Sequence, residues 1–283
     1  MFFALLTIIL FTVFHDSVHA EIKVEPLTMV ITTKAGRTNP FEIKITSTEE
    51  EPTELEVSRV HLYQEITGKV TINESGSDTK LLKGPLSWIQ FEKEYYTVSS
   101  KEPTIIYGSI KVPHRTSGTK LLGIFVSTIR PPKATGIFLR FRYVVNIRLE
   151  ISGKKSRTSG EFKDILISKE NDNLVLSGMF TNLSPDQLQL ESTAQIRASD
   201  DKLLELILLK TERGWEKEEQ SSMIYPETQV KLSGYFKKIP LEGKYNLRFI
   251  HRLGQKRLVT RKEVTLRKED LPLVLETLKK ENS

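Results

Sequence analysis

Apolar and polar residues alternate along most of this chain in short runs closed by turn residues, the period-two pattern of half-buried β-strands. In "PFEIKITS" Phe41, Ile43 and Ile45 fall on one face, with Glu42, Lys44 and Thr46 on the other. "TELEVSRVHLYQ" puts Leu55 and Val57 on one face and Val60 and Leu62 one step out of phase, which predicts a β-bulge near Ser58. In "TIIYGSIKV" Ile106, Gly108, Ile110 and Val112 share a side, and Pro113 removes a donor and ends the pairing. "TKLLGIFVSTIRPP" is almost continuously apolar, as expected of a central strand covered on both faces, and closes at Pro131 and Pro132. The longest signal is "GIFLRFRYVVNIRLEI": Ile137, Leu139, Phe141, Tyr143, Val145, Ile147, Leu149 and Ile151 on one face, Arg140, Arg142, Asn146, Arg148 and Glu150 on the other. Such alternation far exceeds the usual strand of about 5 to 6 residues.

The polar stretch "SGKKSRTSG", Ser152 to Gly160, then interrupts the pattern and predicts a linker over 152–160. Beyond it come "EFKDILIS", "NLVLSGMFTN", "STAQIRA", "LLELILLK", "TQVKLSGYFKK", "KYNLRFIHR" and "RLVTRKEVTL". About seven short strands at this spacing are the signature of an immunoglobulin-like sandwich. Tyr245, just after a glycine turn, fits a tyrosine corner and equally a tyrosine half-buried on a strand. The closing "KEDLPLVLETLKKENS" predicts a short helix over 268–283, capped by Asp270, with Leu271, Val274, Leu275 and Leu278 on one face. The expected fold is therefore all-β, two immunoglobulin-like sandwiches in tandem over 21–151 and 161–267, with a C-terminal helical tail that either docks on its own protein or binds a partner.

The apolar stretch from Phe2 to Phe14 is too short to span a bilayer, and Val18 and Ala20 stand where a signal peptidase requires small residues. Residues 1–20 are expected to be a secretory signal peptide, although no Lys or Arg precedes the apolar run. No later stretch is apolar enough to insert stably in a membrane. With no cysteine the chain has no disulfides, thiolate metal site or cysteine nucleophile. This suits a bacterial envelope protein held together by core burial. The formal charge is +6, or +7 once the signal and its single charged residue Asp16 are removed, and charges of both signs are interspersed. A solvated exported surface accounts for this, as does affinity for anionic envelope polymers; export argues against nucleic acid.

Candidate chemistry is sparse. The histidines beyond the signal, His61, His114 and His251, are far apart with no ligand-spaced partner, and "STEEEPTE" has the character of a solvated turn. Asn73-Glu74-Ser75 and Asn182-Leu183-Ser184 match the glycosylation sequon. No nucleophile elbow or phosphate-cradling glycine loop occurs, so the expectation is a non-enzyme without cofactor or metal. A long strand at a sheet edge, beside a groove between two sandwiches, suits strand addition by a partner.

From Glu21 to Ile151 the order "PFEIKITSTEEEPTELEV", "WIQFEKEYYTVSSKEPTIIYGSIKVP", "TKLLGIFVSTIRPP", "GIFLRFRYVVNIRLEI" resembles the N-terminal domain of the periplasmic pilus-chaperone (PapD-like) superfamily. The second half is similar only in its general sandwich pattern. The resemblance implies that Ile137, Leu139, Phe141, Tyr143, Val145 and Ile147 form a donor or edge strand for a subunit lacking its own last strand. It also implies that Arg148 stands where the family has a lysine that holds the subunit's C-terminal carboxylate. The family's other basic residue has no counterpart, since "VEPLTMVITT" contains no arginine. The reading is of a divergent member, periplasmic or otherwise exported to the cell surface, acting as a non-catalytic chaperone or binding module by β-strand complementation. Its partner would be another exported or surface protein such as a pilin-like subunit. Asp at Phe141 or Val145 would then abolish capture. The alternative is a structural adhesion or cell-wall-polymer-binding protein using its basic surface.

Overall fold

In the computed structural model, residues 22–73, 84–129, 140–153, 157–170, 173–237 and 242–267 are described. The expected signal peptide and C-terminal helix lie outside them. The alternating runs of the first half form β1 (Ile22–Glu25), β2 (Thr28–Lys34), β3 (Thr38–Ser47), β4 (Thr53–Gln64), β5 (Val70–Asn73), β6 (Ile89–Phe91), β7 (Tyr95–Val98), β8 (Thr104–Lys111), β9 (Gly118–Thr128) and β10 (Arg142–Ser152). One sheet has the order β1-β3-β8-β6 and faces a second of order β2-β10-β9-β4-β5, with β7 also on β4. The chain crosses from one sheet to the other between β1 and β2, and β2 then lies parallel to β10. Alternate residues of both sheets, among them Ile43, Ile106, Ile124 and Ile147, bury one apolar core. β9 sits between β10 and β4, covered on both faces as its apolar run requires.

The second half supplies β11 (Gly160–Glu170), β12 (Asn173–Asn182), β13 (Leu188–Arg197), β14 (Leu203–Leu209), the single-turn helix α1 (Glu212–Glu216), β15 (Ser222–Ile224), β16 (Gln229–Tyr235), β17 (Gly243–Leu253) and β18 (Lys256–Leu266). Sheets β11-β12-β16 and β14-β13-β17-β18, with β15 on β13, enclose a separate core around Phe162, Phe180, Phe249 and Leu190. Tyr245 packs half-buried against this core. Among the described residues no helix is long and apolar enough to cross a membrane.

The bulge expected near Ser58 is absent. The β4–β9 register runs without a break from Leu55↔Thr128 to Val60↔Gly123. Leu55 and Val57 face the first core, whereas Val60 and Leu62 are buried without joining it. They lie over Gly123, where a Cβ would come within 2.6 Å of Val60 Cγ1 and 2.8 Å of Leu62 Cγ. The phase change in the sequence records a change in which face of a continuous strand is covered, and Gln64, next in that series, points to the second sandwich.

Candidate functional site

β10 delivers two different surfaces because its residues alternate across the sheet. Val145, Ile147, Leu149 and Ile151 enter the first core, and Tyr143 packs half-buried against it. Phe141, just ahead of the strand, is 42% exposed. Ile137 and Leu139 lie outside the described residues. The side chains of Val145 and Ile147 are thus engaged by the chain's own sandwich. Asp at Val145 would unfold the sandwich rather than test capture, which leaves Phe141 as the informative position. β2 pairs with β10 only from Thr28↔Asn146 onward, so the last β2 rung stops short of Arg142–Val145.

The opposite face of β10 carries Arg148, which lines a cavity of about 280 Å³ between the two sandwiches. Gln64 comes from the end of β4, while Arg213, Glu219, Ser222 and Tyr225 arrive from α1, the turn after it, and β15 with its following residue. Arg148 Nε lies 3.1 Å from Glu150 Oε1. Glu150 is itself held, its Oε1 accepting from Gln187 Nε2 at 3.0 Å and its Oε2 from Thr32 Oγ1 at 3.3 Å. Across the cavity Arg213 Nε donates to Glu219 Oε1 at 3.3 Å, and its backbone N–H donates to Thr67 O at 3.1 Å. Tyr225 lies within the field of both arginines. Burial raises the Tyr225 phenol above its usual pKa, and the two positive charges oppose that shift without reversing it. The hydroxyl therefore stays protonated at neutral pH. Each guanidinium has five N–H groups and spends few of them on its own carboxylate. Two planar cations and a phenol around one small cavity can hold an incoming carboxylate or phosphate by charge-assisted bonds.

Gln64 fixes that geometry. Its buried amide donates to Gly68 O at 3.1 Å and Met223 O at 2.7 Å, and accepts from Tyr225 N at 3.0 Å and Thr228 Oγ1 at 3.1 Å. Around it Lys231 N donates to Ile66 O at 2.7 Å, and Lys69 Nζ reaches Glu212 and Glu216 at 3.1 and 2.8 Å. On the far side of the cleft Thr119 N donates to Pro185 O at 2.9 Å. Gly118 has φ 87° there and approaches so closely that a Cβ would sit 2.2 Å from Pro185 O. The sandwiches are latched at two places with the arginine-lined cavity beside one of them.

Two other candidates resolve as structure. Ser192 Oγ and His251 Nδ1 are 2.9 Å apart, but both residues are buried among Phe162, Phe180 and Phe249, beyond the reach of any substrate. Asn182 of the second sequon is fully buried, its Nδ2 donating to Asp186 O and Ile224 O, so the folded chain offers no acceptor there. Among the described residues no three His, Cys, Asp or Glu side chains converge as a metal site would require.

Arg148 was legible only through the resemblance, and Arg213 and Tyr225 were not legible at all. They sit in a different sandwich, brought opposite β10 by the inter-sandwich contacts. The polar Gln64 in an otherwise apolar phase was the one available signal.

No family model and no curated protein sequence matches the chain. Solved structures of pilus chaperones align along most of it at low identity. The class 5 fimbriae chaperone CfaA is 12% identical with a TM-score of 0.47, the alignment covering 87% of this chain and 100% of that one. A chain of the chaperone–tip adhesin complex of CFA/I fimbriae gives 11%, 0.48, 86% and 99%. The CupB2 chaperone of Pseudomonas aeruginosa gives 11%, 0.39, 86% and 100%.

Proposed function

We propose that this protein is an exported, non-catalytic chaperone or binding module that captures another exported or surface protein by β-strand complementation, in the manner of pilus-subunit chaperones. The observation that carries the reading is the course of β10. The chain runs from Phe141, exposed just ahead of β10 and beyond the last β2 rung, along the strand to Arg148 in the arginine-lined cleft. A client strand added beside Phe141–Val145 gains main-chain hydrogen bonds and a contact with Phe141. From there three further client residues, at roughly 3.3 Å each, span the about 10 Å to Arg148. A terminal carboxylate there meets Arg148 and Arg213 together, so that Arg213 serves where the opening strands provide no arginine.

Phe141→Asp is expected to abolish capture while leaving the fold intact, because the side chain lies outside the core. The check is site-specific photocrosslinking from position 141 in the producing cell, with the crosslinked client peptide sequenced. A C-terminal β-strand of one exported protein should dominate. The same proteins recovered with wild type and with folded Phe141→Asp would sink the reading. Arg148→Gln with Arg213→Gln is expected to weaken capture at least tenfold, each lost charge-assisted bond contributing about 1.5 to 3 kcal/mol. A client amidated at its C-terminus should be insensitive to that pair of changes.

A further inference from the structure

The outward face of the β14-β13-β17-β18 sheet combines two features that the fold itself does not use. On the edge strand β14, Leu204, Leu206 and Leu208 project outward and are 41%, 55% and 42% exposed. Across the sheet from Leu208 the same face carries Thr193, the buried Ile250 and, on β18, the exposed Val259. Beside that row the β17–β18 register sets arginine against arginine twice, Arg248↔Arg261 and Arg252↔Arg257. Like charges directly opposite each other destabilise a sheet. Neutralisation is partial: Arg252 lies 3.7 Å from Glu191, while among the described residues Arg248, Arg257 and Arg261 have no ion pair, and Arg248 Nε is buried without a hydrogen-bond partner. Arg197 adds a fifth guanidinium at the rim, paired to Asp201 at 3.3 Å, and Glu263 is the other acid of that groove.

We propose that this face docks on the surface of an anionic lipid bilayer, the arginines on headgroup phosphates and the leucines in the interface. Charge complementarity selects an anionic partner, since each opposed arginine pair is relieved by a phosphate placed between its members. The leucines select a bilayer over a soluble polyanion, because a hydrated polymer gives an exposed apolar edge nothing to bury against. A second copy of this chain is disfavoured, because pairing β14 edge to edge brings two arginine-bearing faces into one plane. No residue of this face lines the inter-sandwich cavity, so membrane docking leaves the cleft open.

The test is co-sedimentation of the chain from Glu21 onward with vesicles of phosphatidylcholine alone and of phosphatidylcholine mixed equally with phosphatidylglycerol. Binding is expected only to the mixed vesicles and is expected to fall steeply with salt. Arg257→Gln with Arg261→Gln, both on exposed positions of the other edge strand, should weaken partitioning about 30-fold, the effect of two basic residues at an anionic surface. Leu206→Ser with Leu208→Ser should weaken it at least tenfold. Circular dichroism checks that both variants remain folded, and should the leucine pair not fold, Leu206→Ser alone replaces it. Equal binding to phosphatidylcholine vesicles, or indifference to the arginine changes, overturns the proposal. So does indifference to the leucine changes together with full competition by soluble polyphosphate, which would assign the face to a polyanion. Dissociation of a dimer by the leucine changes with vesicle binding unaltered would assign it to a second copy.

Discussion

Gln64→Leu is expected to lower the thermal midpoint by about 8 °C and to split a single unfolding transition into two. Leucine nearly preserves the volume but removes all four hydrogen bonds of the side-chain amide, to Gly68 O, Met223 O, Tyr225 N and Thr228 Oγ1. Met223, Tyr225 and Thr228 belong to the other sandwich, so the loss falls on the latch rather than on either core. A buried polar group left unpaired costs about 1 to 3 kcal/mol. Water entering from the adjoining cavity recovers part of this, leaving a net loss of about 3 kcal/mol. For a protein of this size 1 kcal/mol moves the midpoint by about 2 to 4 °C. Gln64→Glu is the sharper control: it keeps an acceptor for Tyr225 N but aims a second acceptor at Met223 O and Gly68 O. Differential scanning calorimetry decides between the outcomes. A midpoint within 2 °C of wild type and one undivided transition would show that the latch is held by the Thr119–Pro185 side instead.

The same residue shows where sequence reasoning stopped. Within each sandwich the strands were legible, because a residue's fate on a pleated sheet is decided two positions away, and runs such as "NLVLSGMFTN" coincide with β12 from end to end. Val60, Leu62 and Gln64 broke the phase because the outer face of β4 is covered too, and that cover comes from elsewhere in the fold. Period-two patterning cannot distinguish a bulge from a second buried face. "LLELILLK" shows another limit: β14 is an edge strand with Leu204, Leu206 and Leu208 exposed, a placement that its apolar content does not announce. The cleft was the least legible of all, since Arg148, Arg213 and Tyr225 are linked by inter-sandwich geometry and not by spacing. The alternating run from Ile137 to Ile147 carries a similar ambiguity. Its alternation is real, but alternation alone does not say that Val145 and Ile147 serve the chain's own core while Phe141 lies outside it.

Stability is expected to fall by about 3 kcal/mol as the pH drops from 6.5 to 4, through His251 alone. Burial among Phe162, Phe180 and Phe249 lowers its pKa from 6.5 to about 4, and the neighbour on its ring nitrogen is a neutral hydroxyl, Ser192. Above pH 6.5 the imidazole is neutral in both the folded and the unfolded chain, and the group contributes no slope. Between the two pKa values the unfolded chain binds a proton that the folded chain refuses, so unfolding gains about 1.4 kcal/mol per pH unit. Below pH 4 both states are protonated and the contribution levels off. Carboxylates titrate over part of the same range, so the comparison that isolates His251 is with His251→Leu carrying Ser192→Ala, which removes the titrating group and its partner together. Urea denaturation at pH 7.5, 6, 5 and 4 should show the variant losing about 3 kcal/mol less than wild type across that span. Parallel losses in the two proteins would mean that the imidazole accepts its proton without unfolding. In that case the core around Ser192 must open to water well before the sandwich melts.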